Sequence, residues 1–254
     1  MVGCTLTVDC YNFQMHHMIG ILGGMGPDAT LDLYRHIINL TPASRDQDHF
    51  RVLIYSNPKI PDRTLAIADG GESPLEALLE SARLLESAGV SVIAMPCNSA
   101  HHYLKQLRAA VGIPILDMIA ETCDALRKQY SEVRTVGLLA SDGTVQSKIY
   151  HRSLEAAGID VLLPNESDHA FIQSVIVDVK AGKQTEVARE KLLAAGTRLI
   201  QAGAQAIVLG CTEIPLAFDS SAFSFPSLNS TRILAKAAIS FFNHQSMCRY
   251  FARP

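Results

Sequence analysis

The sequence predicts an α/β protein built as two pseudo-symmetric α/β lobes with mostly parallel sheets facing a central cleft. Three observations lead there. Short apolar runs of strand length alternate with longer helical patterns from Met18 onward, as in successive βαβ units. Gly89, Gly158 and Gly203 each fall between a helical pattern and a strand, where helix C-caps belong. The chain also repeats itself: Leu85-Glu-Ser-Ala-Gly89 leads through an apolar run to Cys97, and Leu199-Ile-Gln-Ala-Gly203 leads through another to Cys211, with eight positions from Gly to Cys in both copies.

Taken in order, Met18-Ile-Gly-Ile-Leu begins as a buried strand (18–22) and runs into a Gly-rich turn. Further strands are expected at 51–56, 90–96, 115–118, 135–140, 159–163 and 206–210, and helices at 28–40, 74–88, 100–110, 145–157, 186–202 and 230–242. The opening strands repeat as well, since Gly20-Ile-Leu precedes Cys97 by 77 positions and Gly137-Leu-Leu precedes Cys211 by 74. The first lobe is assigned to 18–116 and the second to 117–227. The proline-marked stretch Ile113-Pro-Ile-Leu-Asp-Met118 forms the crossing, 220–227 a loop, and the C-terminal helix (228–250) packs back on the first lobe. Residues 1–17 lack periodicity and read as an N-terminal extension ahead of a start at Met18, so Cys4 and Cys10 carry no catalysis.

With 254 residues, 48% of them hydrophobic and 19% charged, the chain can bury a substantial core. Its formal net charge of -3 and scattered Lys and Arg offer no basic stripe, so nucleic acid is not an expected partner. The apolar runs are far shorter than the ~20 residues that span a bilayer, so no membrane association is expected. Residues 1–34 hold no Lys or Arg, which removes the charged start of a secretory signal and points to the cytoplasm. Six widely spread cysteines with no C-x-x-C pair are expected as reduced thiols, with no metal site. Cys123 and Cys248 read as structural thiols in helical stretches.

A single Cys ending a buried strand is usually a small apolar filler. Two at equivalent repeat positions point to chemistry. Each precedes small polar residues, Asn98-Ser99 and Thr212-Glu213, where a helix should begin and unpaired N–H groups favour anions. Such a place lowers a thiol pKa and can hold a carboxylate. Inverting a carbon by direct deprotonation needs a base on one face and an acid on the other, which paired thiols Cys97 and Cys211 supply. The developing enediolate needs preorganised donors, for which Asn98, Ser99 and Thr212 are candidates. The lysine and phosphate cradle of pyridoxal phosphate are not identifiable, so no cofactor is expected. The turn Gly23-Gly-Met-Gly26 lacks dinucleotide-binding spacing and is read as letting the backbone at Met25 and Gly26 approach a substrate.

These residues resemble the aspartate/glutamate racemases, through Gly20-Ile-Leu-Gly-Gly-Met-Gly-Pro27, Asn57-Pro-Lys-Ile-Pro-Asp-Arg-Thr64, Met95-Pro-Cys-Asn-Ser-Ala-His101 and Leu209-Gly-Cys-Thr-Glu-Ile-Pro215. The resemblance runs from Met18 to about Ala238. It implies a two-lobed, cofactor-independent enzyme, usually a homodimer, that acts on an acidic amino acid, aspartate or possibly glutamate. It also implies a thiol/thiolate pair at Cys97 and Cys211, and Asn98, Ser99 and Thr212 around the α-carboxylate. The resemblance assigns the distal carboxylate to Arg63 and Lys180, a fork and a point charge. Lys180 equally reads as a solvated helix-end lysine.

Supporting residues are Asp62, which fixes the loop carrying Arg63; His101, which either supports Cys97 or caps a helix; and Glu213, which orients Thr212 or assists Cys211. His102 is expected at the surface. The chain departs from the family where an Asp should open the last helix with a His soon after, since Asn229 and Leu234 stand there. Two alternatives accompany the racemase reading. One is a related thiol-dependent reaction, such as maleate isomerisation, hydantoin racemisation or malonate decarboxylation; the other is a catalytically silent dicarboxylate-binding protein.

Overall fold

The apolar runs pair in parallel to give two successive sheets in the computed structural model, which describes residues 17–183, 186–217 and 223–242. The first half contains β1 (Met18–Gly23), α1 (Pro27–Leu40), β2 (Arg51–Ser56), α2 (Arg63–Ala68), α3 (Leu75–Ser87), β3 (Val92–Ala94) and α4 (Leu104–Ala110). The second contains α5 (Met118–Gln129), β4 (Thr135–Ala140), α6 (Asp142–Gln146), α7 (Ile149–Glu155), β5 (Asp160–Leu162), α8 (Glu166–Lys180), α9 (Glu186–Gln201), β6 (Ala206–Gly210), α10 (Ile214–Ala217), β7 (Ser227–Asn229) and α11 (Ser230–Ser240). Strand order is β2-β1-β3 in one sheet and β5-β4-β6-β7 in the other.

The repeat in the sequence is a repeat in space. β1 and β4 are central, and each carries a glycine, Gly20 or Gly137, where a Cβ would come within 3.0 Å of Val90 or of Ile207 and Leu199. Ile93 N–H donates to Pro114 O and Ile207 N–H donates to Pro226 O, both at 2.9 Å, so Ile115 bridges to β3 as β7 pairs with β6. After these equivalent points the halves exchange helices. α5, capped by Asp117, packs on the second sheet with Ile119, Cys123 and Leu126. α11, capped by Asn229, packs on the first with Leu234, Ala235 and Ala238.

Both sheets are covered on both faces, which explains their continuous apolar strands. In the first, Ile19 and Ile21 face α1 and α11, while Ile93 and Met95 face α3 and α4. In the second, Val136 and Leu138 face α5 and α7, while Leu139 and Ile207 face α8 and α9. Ile19, Ile21, Leu33 and Leu234 are fully buried, and each such side chain contributes roughly 1.5–3 kcal/mol.

Several expected elements differ. Strand 115–118 is a single bridge at Ile115, and Met118 opens α5, because the Asp117 carboxylate accepts from the N–H groups of Ile119 and Ala120. Helix 145–157 is two helices, broken at Lys148, whose φ is 53°. α8 was not expected; its Asn165 cap and its buried stripe of Ile172, Val175, Ile176 and Val179 account for it. Within 220–227, Ser227 already belongs to β7; the last helix starts at Ser230 as expected, so 228 and 229 of the range 228–250 belong to β7 and the cap. Cys4, Cys10, Cys248, residues 1–16, 220–222 and 243–250 lie outside the described residues. Among those described, no helix is long and apolar enough to cross a membrane.

Candidate active site

The two sheets direct the carboxyl ends of β1, β3, β4 and β6 toward one cleft, where ligands of open parallel sheets bind. Cys97 follows β3 and Cys211 follows β6 directly. Both thiols are buried and free of disulfides, and both line one narrow cleft. Met25, Arg63, Asn98, Ser99, Lys180, Thr212 and Glu213 line it too. Gly26 lines an adjoining hollow that shares Lys180 and Glu213. A wider hollow beside Tyr34 and Phe50 contains neither thiol, so size alone does not locate the chemistry.

The thiols sit in unequal surroundings. Cys97 Sγ lies 3.6 Å from Ser99 Oγ. Cys211 Sγ donates to Glu213 Oε2 at 3.0 Å, and Thr212 Oγ1 donates to the same oxygen at 3.2 Å. Burial pushes the Cys211 thiol well above its ordinary value, and the charge and hydrogen bond of Glu213 add to this against the opposing charge of Lys180. For Cys211 this corrects the expectation of a helix-start environment that lowers the thiol. The helices after the cysteines are too short for a strong dipole: a five-residue 3-10 turn (Ser99–Tyr103) and the four residues of α10.

Arg63 is buried at the start of α2. Its Nη1 donates to Ile60 O and Pro61 O at 3.1 and 2.9 Å, and its Nη2 donates to Met25 O at 3.4 Å. Its Nε has no hydrogen-bond partner among the described residues. Asp62 caps α2, accepting from Thr64 N–H and Leu65 N–H at 2.7 and 3.0 Å, and lies 3.9 Å from Lys180 Nζ. Burial works to raise the Asp62 carboxyl, but the Leu65 N–H, Lys180, Arg63 and the Thr64 N–H together hold it below its ordinary value. Lys180 ends α8 as an exposed residue whose side chain reaches the edge of the cleft.

Asn98 is anchored from behind. Its Oδ1 accepts from Tyr150 Oη at 2.8 Å, and its Nδ2 donates to Ser230 Oγ at 3.3 Å, which donates on to Leu209 O. One amide hydrogen remains for a ligand. His101 holds the chain on which Cys97 sits: its Nε2 accepts from Met118 N–H at 3.1 Å, so its Nδ1 donates to Cys97 O at 2.8 Å. Burial pushes this imidazole below its ordinary value and keeps it neutral. His102 is exposed.

Thr64, Ser141 and Thr144 also line the cleft, and Tyr150 supports it; none was singled out from sequence. The repeat contained the signal for Ser141, which follows β4 as Gly24 follows β1. Tyr150 left no such trace, because its role depends on contact between the two halves.

Residues 22–238 match the family model described as Asp/Glu/Hydantoin racemase. The chain is 30% identical over 229 residues to a broad-specificity amino-acid racemase of Bacillus subtilis, an alignment covering 88% of this chain and 97% of that one. Its structure is similar to the aspartate racemase of Picrophilus torridus, with a TM-score of 0.80 and 33% identity, covering 89% of this chain and 94% of the other. An aspartate racemase homologue from Pyrococcus horikoshii OT3 gives a TM-score of 0.72 at 26% identity, covering 89% and 99%.

Proposed function

From a chain that belongs to the Asp/Glu/hydantoin racemase family, and is therefore an amino-acid racemase, an isomerase, we propose that its reaction is cofactor-independent racemisation of an acidic amino acid. Aspartate is the first candidate and glutamate the second. The observation that supports this best is the pair of repeat-equivalent thiols lining one cleft beside two cationic side chains, Arg63 and Lys180.

In this reading the α-carboxylate is held by Ser99, Thr212 and the remaining amide hydrogen of Asn98, and the distal carboxylate by Arg63 and Lys180. Arg63 fits that role because its Nε is a buried donor without a partner, a state that costs about 1–3 kcal/mol until an acceptor arrives. Cys211, whose proton is held by burial and Glu213, begins as the acid. Cys97 begins as the thiolate and takes the Cα proton; the electron pair left on Cα is delocalised into the α-carboxylate. Cys211 then delivers its proton to the opposite face, and the two thiols have exchanged protonation states. The reverse reaction starts from that exchanged state. The same reading includes a cytoplasmic homodimer, which light scattering and cell fractionation test.

The test is incubation with each enantiomer of aspartate and glutamate in D2O, followed by chiral chromatography and NMR. Racemisation with deuterium at Cα is expected for aspartate. Absence of both from all four substrates refutes the reading. A wider amino-acid panel belongs in the same experiment, because the Bacillus subtilis relative is a broad-specificity racemase.

A further inference from the structure

A substrate with an α-carboxylate, a distal carboxylate and an α-ammonium needs two kinds of partner. The cleft is rich in one kind: Arg63, Lys180 and the hydroxyls of Thr64, Ser99, Ser141, Thr144 and Thr212 all donate hydrogen bonds. Acceptors for an ammonium are scarce. Asn98 Oδ1 is committed to Tyr150, and the carboxylate that lines the cleft is Glu213.

Glu213 is only 3% exposed. Its Oε2 accepts from Cys211 and Thr212, while its Oε1 is buried and has no hydrogen-bond partner among the described residues. The neighbouring cations do not bond to Oε1: Arg63 donates to backbone carbonyls through Nη1 and Nη2, and Lys180 Nζ lies 3.9 Å from Asp62. Glu213 lines both the cleft and the adjoining hollow, and Gly26, which lines the hollow, lies beside Oε1: a Cβ there would stand 3.6 Å from it. A buried carboxylate oxygen without a donor is costly, and a cation delivered by the ligand removes that cost.

We infer that Glu213 is the residue that binds the α-ammonium of the substrate, through Oε1, and that it thereby selects α-amino acids over dicarboxylates that lack the amino group. The inference rests on the acidic amino-acid reading above. It also couples recognition to chemistry. The carboxylate that holds the Cys211 proton through Oε2 would share its charge with the ammonium through Oε1, so the thiol ionises more readily once an amino acid is bound than when the cleft is empty. An amino-less dicarboxylate leaves Cys211 as it is.

Isothermal titration calorimetry with aspartate and with succinate, which has both carboxylates on the same carbon chain but no ammonium, separates the two contributions. The purified wild-type protein is expected to bind aspartate more tightly than succinate. Glu213→Gln is expected to weaken aspartate by at least about tenfold, the loss of one charge-assisted contact, while leaving succinate binding unchanged or stronger. Gly26→Ala is the second variant: its methyl group would stand in ordinary contact with Oε1, 3.6 Å away, in space an ammonium would take, and with no thiol among its near neighbours it is expected to weaken aspartate more than succinate. Equal weakening of both ligands in both variants, or an aspartate-to-succinate ratio that stays at the wild-type value, overturns the inference. If aspartate is not racemised but the preference and its loss persist, the reaction reading fails and the ammonium site stands. If aspartate is racemised and the ratio does not move, the ammonium site alone fails.

Discussion

Tyr150 offers a sharp test of how the two halves of the fold build one site. Its side chain is fully buried on α7, in the second half, and its hydroxyl donates to Asn98 Oδ1, in the first half, at 2.8 Å. Burial pushes the phenol far above its ordinary value, so it is a neutral donor throughout the accessible pH range. Tyr150→Phe removes one oxygen and leaves Asn98 Oδ1 without a donor at a residue only 2% exposed. An unsatisfied buried acceptor costs about 1–3 kcal/mol. For a chain of this length that lowers Tm by roughly 2–4 °C per kcal/mol. The amide of Asn98 also loses the contact that fixes its orientation, so if it donates to the α-carboxylate as proposed, kcat/KM falls about tenfold or more. Thermal denaturation by circular dichroism and chiral kinetics on aspartate read the two effects. A variant with wild-type Tm and wild-type kinetics refutes the anchoring role.

Arg63→Lys keeps the charge but loses the fork, so KM for aspartate is expected to rise about tenfold or more, and an unchanged KM contradicts the distal-carboxylate assignment. In Gly143→Ala the new Cβ lies 2.9 Å from both Cα and Oγ1 of Thr64, which forces α6 and α2 apart. A loss of about 1–3 kcal/mol and a raised KM are expected in denaturation and kinetics, and an unchanged Tm rules out the tight contact. His101 is buried with its pKa below 6.5. The unfolded chain therefore takes up this proton first, and stability falls as pH drops below ~6.5, by up to ~1.4 kcal/mol per unit until the folded-state value is reached. Urea titrations between pH 7.5 and 5.5 should show a shallower slope for His101→Asn than for wild type, and equal slopes would contradict the neutral buried imidazole.

Much of the architecture was written in local pattern. Alternating apolar runs and the Gly-to-Cys repeat suffice for two parallel sheets, and the equivalence of Cys97 and Cys211 follows from spacing alone. α5 was obscured because Ile115, Leu116 and Met118 look like a strand, although Asp117 among them is a helix cap whose effect lies in the residues after it. α8 was obscured because its buried stripe is β-branched, Ile172, Val175, Ile176 and Val179, so propensity spoke for a strand while packing on β4 and α9 made a helix. Asn229 shows the reverse case: the departure from the expected Asp keeps the capping function, with Oδ1 accepting from Arg232 N–H at 3.0 Å.

The electrostatics of the site were not legible, because they depend on distances between side chains that pattern does not encode. Adjacent in sequence, Cys211, Thr212 and Glu213 need not converge, yet here they meet on one carboxylate oxygen, and burial raises the thiol instead of lowering it. The pair is therefore equivalent in place and unequal in surroundings, since Cys211 donates to a carboxylate while Cys97 lies beside the Ser99 hydroxyl.

The central claim is that each thiol serves one face of the same carbon. Deuterium incorporation at Cα, measured separately for L- and D-aspartate in Cys97→Ser and in Cys211→Ser, tests it most directly. Each variant should lose racemisation yet exchange the Cα hydrogen of one enantiomer only, with opposite enantiomers chosen by the two variants. Exchange of both enantiomers at equal rates in either variant, or the same enantiomer in both, would contradict it.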